Sequence, residues 1–318
     1  MNIVFMGTPE FSVPTLQQLH KSTHNIQLVV TQPDRPKGRG RESMPSPVKL
    51  FALEGGIPVF QPKKCSAPDV ENILREYDTD VFVVVAFGQI LNKNLLSIPR
   101  NFCINLHSSL LPKYRGAAPI NWAIINGETE TGITTMKMDS GLDTGDILLT
   151  RKVSIAPSDD AKSLHDTLAL EGSTLMLDTL QKLESGTLKS ICQNSDHSTY
   201  APKLKKEDGL IDWNQSAFKI HNRVRGLLPW PGTYSFLGSR RFQICKTEIK
   251  TTRDLNQPGI IVRLSDIGIE VGTADGIIII TELQPEGKKR MHVRNFLSGH
   301  KLATGSRFLT HPNINYPL

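Results

Sequence analysis

Apolar residues in the first half of this chain fall into short runs separated by helical stretches. Residues 2–6 and 26–31 are β-rich, with a helical pattern from about Phe11 to Lys21 between them. Val81 to Ala86 is a continuous apolar run, the pattern of a strand buried on both faces. Residues 102–107 form another such strand. Helical stretches near 46–55, 69–77 and 117–126 separate these runs. That βαβ alternation predicts an α/β fold with a doubly wound, mostly parallel, Rossmann-like sheet. Residues 133–138 and 147–155 read as a hairpin at its edge, and a long helix from about Ala161 to Ser185 ends at Gly186. Residues 187–208 show no periodicity and read as a linker. Beyond Gly209, short β-rich runs recur at about 233–237, 241–249, 258–264, 267–272 and 276–283, broken by Gly-Pro turns. This spacing predicts a small OB-like β-barrel. The expected division is a first domain over 1–189, a linker over 190–208 and a second domain over 209–318.

Composition narrows the class. In 318 residues, 38% hydrophobic and 21% charged, no apolar run approaches the roughly 20 residues that span a bilayer. The opening Met1-Asn2-Ile3-Val4-Phe5 reads as a strand rather than a signal peptide. Cys65, Cys103, Cys192 and Cys245 form no C-x-x-C pair, and the nine histidines include no H-E-x-x-H. A reduced, cytoplasmic, metal-free protein is therefore expected. The net charge of +6 is unevenly spread. Residues 1–199 carry 19 Lys/Arg against 21 Asp/Glu, a net of −2, whereas residues 200–318 carry 18 against 10, a net of +8. A basic final third can hold a polyanion, although a solvated basic surface would look the same.

The turn Gly7-Thr8-Pro9-Glu10 is not G-x-G-x-x-G, and there is no P-loop. Pro33 to Glu42 is too rich in Pro and Gly to predict helix or strand, and its Arg35, Lys37, Arg39 and Arg41 could settle on phosphates. Asn105 and His107 are two apart on a strand and so share a face. An amide donor beside an imidazole suits an oxyanion that develops as a carbonyl becomes tetrahedral. The Gly-flanked Asp143 could approach that imidazole, but Asp139 and Asp146 are equally placed by spacing.

Asn105-x-His107 followed by Ser109-Leu110-Leu111-Pro112, then Leu142-Asp143-Thr144-Gly145, resembles the 10-formyltetrahydrofolate-dependent formyltransferases. Gln32 to Pro36, Met44 to Lys49, Arg115 to Pro119, Ile211-Asp212-Trp213 and Pro229-Trp230-Pro231 are similar to the branch acting on methionyl-tRNA, and these blocks span nearly the whole chain. The resemblance implies catalytic roles for Asn105, His107 and Asp143. It implies folate contacts from Phe87, Gly88, Gln89, Ile90 and Leu91 and from Ser109, Leu110, Leu111 and Pro112. It also implies contacts to initiator methionyl-tRNA from Arg35, Lys37, Arg39 and Arg41 and from Lys203, Lys205 and Lys206. The expected co-substrate is 10-formyltetrahydrofolate, with no metal, no membrane and a monomeric chain. The sequence departs from several relatives at Ser108, where they carry Gly.

Three rivals stand beside this reading. A Ser108–His107–Asp143 hydrolase would need adjacent strand residues to meet, and G-x-S-x-G is absent. A formyltransferase for another amine would leave the basic second domain without a purpose. A non-enzymatic RNA-binding protein would leave Asn105, His107 and Asp143 without one.

Overall fold

The computed structural model describes residues 1–37, 42–250 and 257–313. The first strands are β1 (Asn2–Gly7) and β2 (Asn25–Val30), followed by the short pair β3 (Arg35–Lys37) and β4 (Glu42–Met44). Next come β5 (Val59–Phe60), β6 (Val81–Val85), β7 (Cys103–His107), β8 (Arg115–Gly116), β9 (Glu130–Lys137), β10 (Ile147–Ser154) and β11 (Tyr200–Ala201). The helices of this part are α1 (Val13–Lys21), α2 (Pro47–Glu54), α3 (Pro68–Arg75), α4 (Lys93–Leu96), α5 (Pro119–Ile125) and α6 (Ala161–Glu184). Chain contacts separate two compact units. One comprises Met1–Pro119, Glu130–Ser154 and His165–Ala201; the other comprises Ile120–Thr129, Ile155–Leu164 and Pro202–Leu318.

The main sheet of the first unit runs β10-β9-β7-β6-β1-β2-β5. Strands β7, β6, β1, β2 and β5 are parallel, while β9 and β10 add the expected antiparallel edge. Every residue of β6 is buried, as its unbroken apolar run requires. Helix starts follow local chemistry. Pro47 opens α2, and the Ser46 hydroxyl accepts from Lys49 N at 3.1 Å. At α6 the Asp160 carboxylate takes the same part, accepting from Lys162 N and Ser163 N, each at 2.9 Å.

Two expectations change, and one strand is new. The Pro- and Gly-rich segment at 33–42, expected to contain neither helix nor strand, places β3 antiparallel to β4, with Arg35 opposite Met44. A hairpin needs pairing at its base and tolerates Pro on an unpaired edge, so composition alone misleads. Strand β5 is only two residues long, below what a periodicity window detects. Most consequential is the stretch read as a linker at 187–208. Ile191 pairs across to Ile147, and β11 lies parallel to β8. Residues 191–201 are therefore a strap bound into the first unit.

The second unit adds β12 (Thr233–Leu237), β13 (Arg240–Lys250), β14 (Ile261–Leu264), β15 (Ile269–Gly272), β16 (Ile277–Pro285), β17 (Met291–His292) and β18 (Phe308–Leu309), with helices α7 (Ala217–Gly226) and α8 (Val293–Gly299). Its antiparallel sheet has the order β14-β15-β16-β13-β12-β18, and β17 pairs with β16. The curled sheet agrees with the OB-like expectation. Its core joins Ile211, Trp213, Phe242, Ile244, Ile278, Ile280 and Phe296. Trp213 stacks on Phe308 and donates its indole N–H to Ser235 Oγ at 2.9 Å, so its one polar atom is satisfied on burial.

Candidate active site

Strand β7 changes character along one face. Cys103 lies in the apolar cluster with Val84, Met6 and Phe82. Two and four residues on, the same face presents Asn105 and His107. The strand ends at His107, so the polar pair sits at its C-terminal end, where parallel sheets present ligand sites.

His107 is buried, at 6% exposure, with Nε2 3.0 Å from the Tyr114 carbonyl oxygen. A carbonyl can only accept, so Nε2 carries hydrogen and donates. That leaves Nδ1 to face Asp143, whose Oδ2 lies 3.7 Å away. This exceeds a direct hydrogen bond, a separation that catalytic contacts often show before substrate binds. Neither competing acid pairs with this imidazole. Asp139 closes its own turn, accepting from Gly141 N at 3.0 Å and Thr144 Oγ1 at 2.7 Å. Asp146 makes no ion pair with His107 within 4.0 Å.

Asp143 occupies the left-handed region, φ 54°, which disfavours a side-chain residue by roughly 1 kcal/mol. Its surroundings hold it there. Gly116 N donates to Oδ2 at 2.8 Å, while Gln193 Nε2 donates to the carbonyls of Asp143 and Gly145 at 2.9 and 2.7 Å. Gln193 Oε1 accepts from Arg115 Nε and Nη2 at 3.1 and 2.8 Å. Gly116 itself has φ 114°, and a Cβ there would stand 2.8 Å from the Ala201 carbonyl oxygen. The close approach of the strap requires glycine at that position.

Asn105 is half-buried, and its amide meets no hydrogen-bonding partner among the described residues. It is a free donor on the strand face that it shares with His107.

The expected folate residues divide into scaffold and surface. Phe87 and Leu91 are buried, and Gln89 is engaged within the protein, accepting from Cys65 N at 2.6 Å and donating to Pro62 O at 3.1 Å. Ile90 is 83% exposed and Gly88 has φ 75°, so this turn presents an apolar side chain and backbone to solvent. A cavity of about 410 Å³ opens beside it, lined by Gln32, Arg35, Lys63, Lys64, Gly88 and Ile90 among others. Ser109 and Leu111 are buried. The Ser109 hydroxyl donates to Lys113 O at 2.6 Å and shapes the turn, leaving Leu110 and Pro112 partly exposed. Exposed Ile90 and partly exposed Leu110 and Pro112 leave apolar surface open on both expected folate segments.

Arg35 is exposed and donates to Gln32 Oε1 at 2.5 Å. At the base of the hairpin, Lys49 and Gln61 donate to Asp34 and hold its carboxyl below the usual range. Lys37 closes β3, whereas Arg39 and Arg41 lie outside the described residues. Lys203, Lys205 and Lys206 are all exposed. Among the described residues no group of three His, Cys, Asp or Glu could hold a metal, and no helix is long and apolar enough to cross a membrane. Burial pushes the Cys65 and Cys103 thiols up to about 11 and about 12, so neither supplies a thiolate.

Sequence reasoning missed Tyr114, Gly116 and Gln193 as parts of this site. Gly116 lies inside a block quoted for the family resemblance, but Gln193 lies in a stretch without periodicity. Its order comes from side-chain hydrogen bonds, which leave no repeating signature.

The chain is similar to known proteins over nearly its whole length. The formyl transferase family matches residues 1–180, and the formyl transferase C-terminal domain matches residues 203–301. A methionyl-tRNA formyltransferase of Geobacter metallireducens is 53% identical over 307 residues, covering 96% of this chain and 98% of that protein. One from Ruminiclostridium cellulolyticum is 48% identical, covering 96% and 99%. The fold is shared with an N-formyltransferase from Helicobacter canadensis solved with folinic acid and dTDP-3-aminofucose, at 21% identity and TM-score 0.67, covering 89% of this chain and 98% of that one. Matched by both family domains and over 96% of its length at about half identity, this chain belongs to the methionyl-tRNA formyltransferase family.

Proposed function

We propose that this protein transfers the formyl group of 10-formyltetrahydrofolate to the free amine of methionyl-tRNA, the initiator species being the acceptor. The observation that carries this reading is His107 facing Asp143 through Nδ1, with the unpartnered Asn105 amide on the same strand face. The folate supplies an activated formyl carbon when bound, and the exposed Ile90 and Leu142 suit its ring system.

Each residue has a separate task. The Asn105 amide donates to the formyl oxygen as negative charge develops there. One such donor typically lowers a barrier by about 3–4 kcal/mol. His107 is held by Nε2–H on Tyr114 O, so its working atom is Nδ1: on the imidazolium it donates to the same oxygen, and on the neutral ring it accepts a proton. Asp143 accepts from the attacking amine, directly or through water, and returns the proton to the departing folate nitrogen with His107. Holding both substrates in attack geometry supplies much of the remaining rate.

For the tRNA, the exposed cations Lys203, Lys205 and Lys206 belong to the basic unit, and Arg35 is exposed on β3; Arg39 and Arg41 complete the basic segment in sequence. Residues 209–318 act as the tRNA-binding domain in this reading. A monomeric chain acting in the cytoplasm completes this reading.

The test is formyl-methionine production from 10-formyltetrahydrofolate and methionyl initiator tRNA, with His107→Ala alongside. The expected result is rapid formylation that collapses in the variant. Absence of formylation by a folded, folate-binding protein would discard the acceptor and turn attention to amino sugars and ribonucleotide amines. Binding of the tRNA should weaken as salt rises, because lysine contacts release counterions. A flat salt dependence would count against it.

A further inference from the structure

We infer that the strap at residues 191–201 is a positioning device for the catalytic pair, and that Gln193 sets the geometry of Asp143. This inference rests on the roles proposed above for His107 and Asp143.

The strap reaches both members of the pair. On the histidine side, Thr199 Oγ1 accepts from Tyr114 N at 2.9 Å, and Thr199 O accepts from Arg115 N at 2.8 Å. These bonds fix the backbone of Tyr114, whose carbonyl receives His107 Nε2 and whose own φ of 60° is left-handed. On the acid side, Ala201 O accepts from Ala117 N at 2.9 Å and packs against Gly116, whose N–H holds Asp143 Oδ2. Without the strap, Tyr114 and Gly116, the supports of His107 and Asp143, would lose these tethers.

Gln193 is the centre of the arrangement. It is 8% exposed, and all four of its hydrogen-bonding capacities are used: two acceptances from Arg115 and two donations to the Asp143 and Gly145 carbonyls. Among common side chains only a long amide can do this. A glutamate would still accept from Arg115 but would turn oxygens toward two carbonyls. An arginine or lysine could donate to the carbonyls but would oppose the Arg115 charge. Arg115 is itself 2% exposed, so Gln193 also accepts two of the N–H groups of a buried guanidinium. The donations grip the backbone on both sides of Thr144, and they restrain Asp143 in a conformation it does not favour alone. Loss of this grip lets Asp143 relax away from Nδ1, and the 3.7 Å separation leaves little tolerance. Gln193 touches no reacting atom in this reading; it acts through Asp143.

A double-mutant cycle in the full-length enzyme tests this, comparing wild type, Gln193→Glu, Asp143→Asn and the double variant. Initial formylation rates would be measured at saturating and subsaturating folate and methionyl-tRNA, with thermal unfolding of each variant. Gln193→Glu is expected to lower kcat roughly 10- to 100-fold, as a displacement of about 1 Å at a reacting group does, and to leave both KM values within about twofold. In the Asp143→Asn background the same change should cost less than about twofold, because the group it positions is already gone. Equal losses in both backgrounds would assign Gln193 a general structural part and overturn the inference, as would a loss confined to KM. If Gln193→Glu does not fold, Arg115→Lys enters the same cycle with the same two expectations. An Asp143→Asn enzyme with undiminished rate would sink the catalytic assignment itself, a failure visible in that single variant.

Discussion

Asn105 offers the cleanest separation of chemistry from stability in this protein. Its amide has no hydrogen-bonding partner among the described residues, and it is only half-buried, so Asn105→Ala removes no bond that holds the fold. Asn105 sits mid-strand in β7, where alanine has a β propensity as low as asparagine's, and the stability change should stay below about 1 kcal/mol. The rate should respond differently. If the amide donates to the formyl oxygen mainly in the transition state, its loss removes about 2.7–4 kcal/mol, which is roughly 10²- to 10³-fold in kcat. Both KM values should change little, because the ground-state carbonyl gains far less from the donor. Steady-state formylation with each substrate varied in turn, together with a urea unfolding curve, measures all three quantities. A kcat within about threefold of wild type in a protein of unaltered stability would refute the oxyanion role. An equal loss in kcat and in unfolding free energy would refute the claim that this amide stands outside the fold's own bonding. Asn105→Asp should be slower still, since it sets a carboxylate where negative charge develops.

Other outcomes can be read from packing and titration. Gly172 on α6 lies against the sheet, where an added Cβ would stand 2.7 Å from Leu106 Cδ2 and 3.2 Å from Ile133. Gly172→Val should therefore lose about 1–3 kcal/mol in urea unfolding, and an unchanged midpoint would contradict this packing. With Cys65, Cys103 and Cys245 buried and pushed up to about 11, 12 and 11, a thiol reagent at mildly alkaline pH should modify exposed Cys192 promptly and the other three only on unfolding. Prompt reaction of more than one thiol would show that the native cores open. Burial, with Arg225 adding to it, lowers the His221 imidazole below 6.5. As pH falls the unfolded chain takes up this proton first, so the stability that the neutral imidazole contributes is complete above about pH 6.5 and lost as pH drops through the folded value. His221→Gln should flatten the acid side of the stability profile, and an unaltered slope would contradict the assignment.

Periodicity was a good guide wherever burial is continuous. The β6 run, the edge hairpin and α6 stand close to where the pattern put them, because each buries a whole face and cannot do so with another period. It failed at 33–42 and at 187–208. The first is a short pairing among prolines and glycines. The second is ordered by Gln193, Thr199 and the β8–β11 bridge, none of which repeats along the chain.

By itself, then, the sequence determined two units, a parallel sheet, the pairing of Asn105 with His107 on one strand face and, through resemblance, the chemistry to expect there. Those follow from alternation along a strand and from local composition, which any stretch of chain carries within it. Tertiary structure decided which aspartate meets the imidazole and which ring nitrogen faces it. It also decided that a presumed linker buttresses both. Asp139, Asp143 and Asp146 are equivalent in spacing. Only the folded loop separates them, because Gly116 N and the Gln193 amide come from distant positions and select one carboxylate by the bonds they make around it.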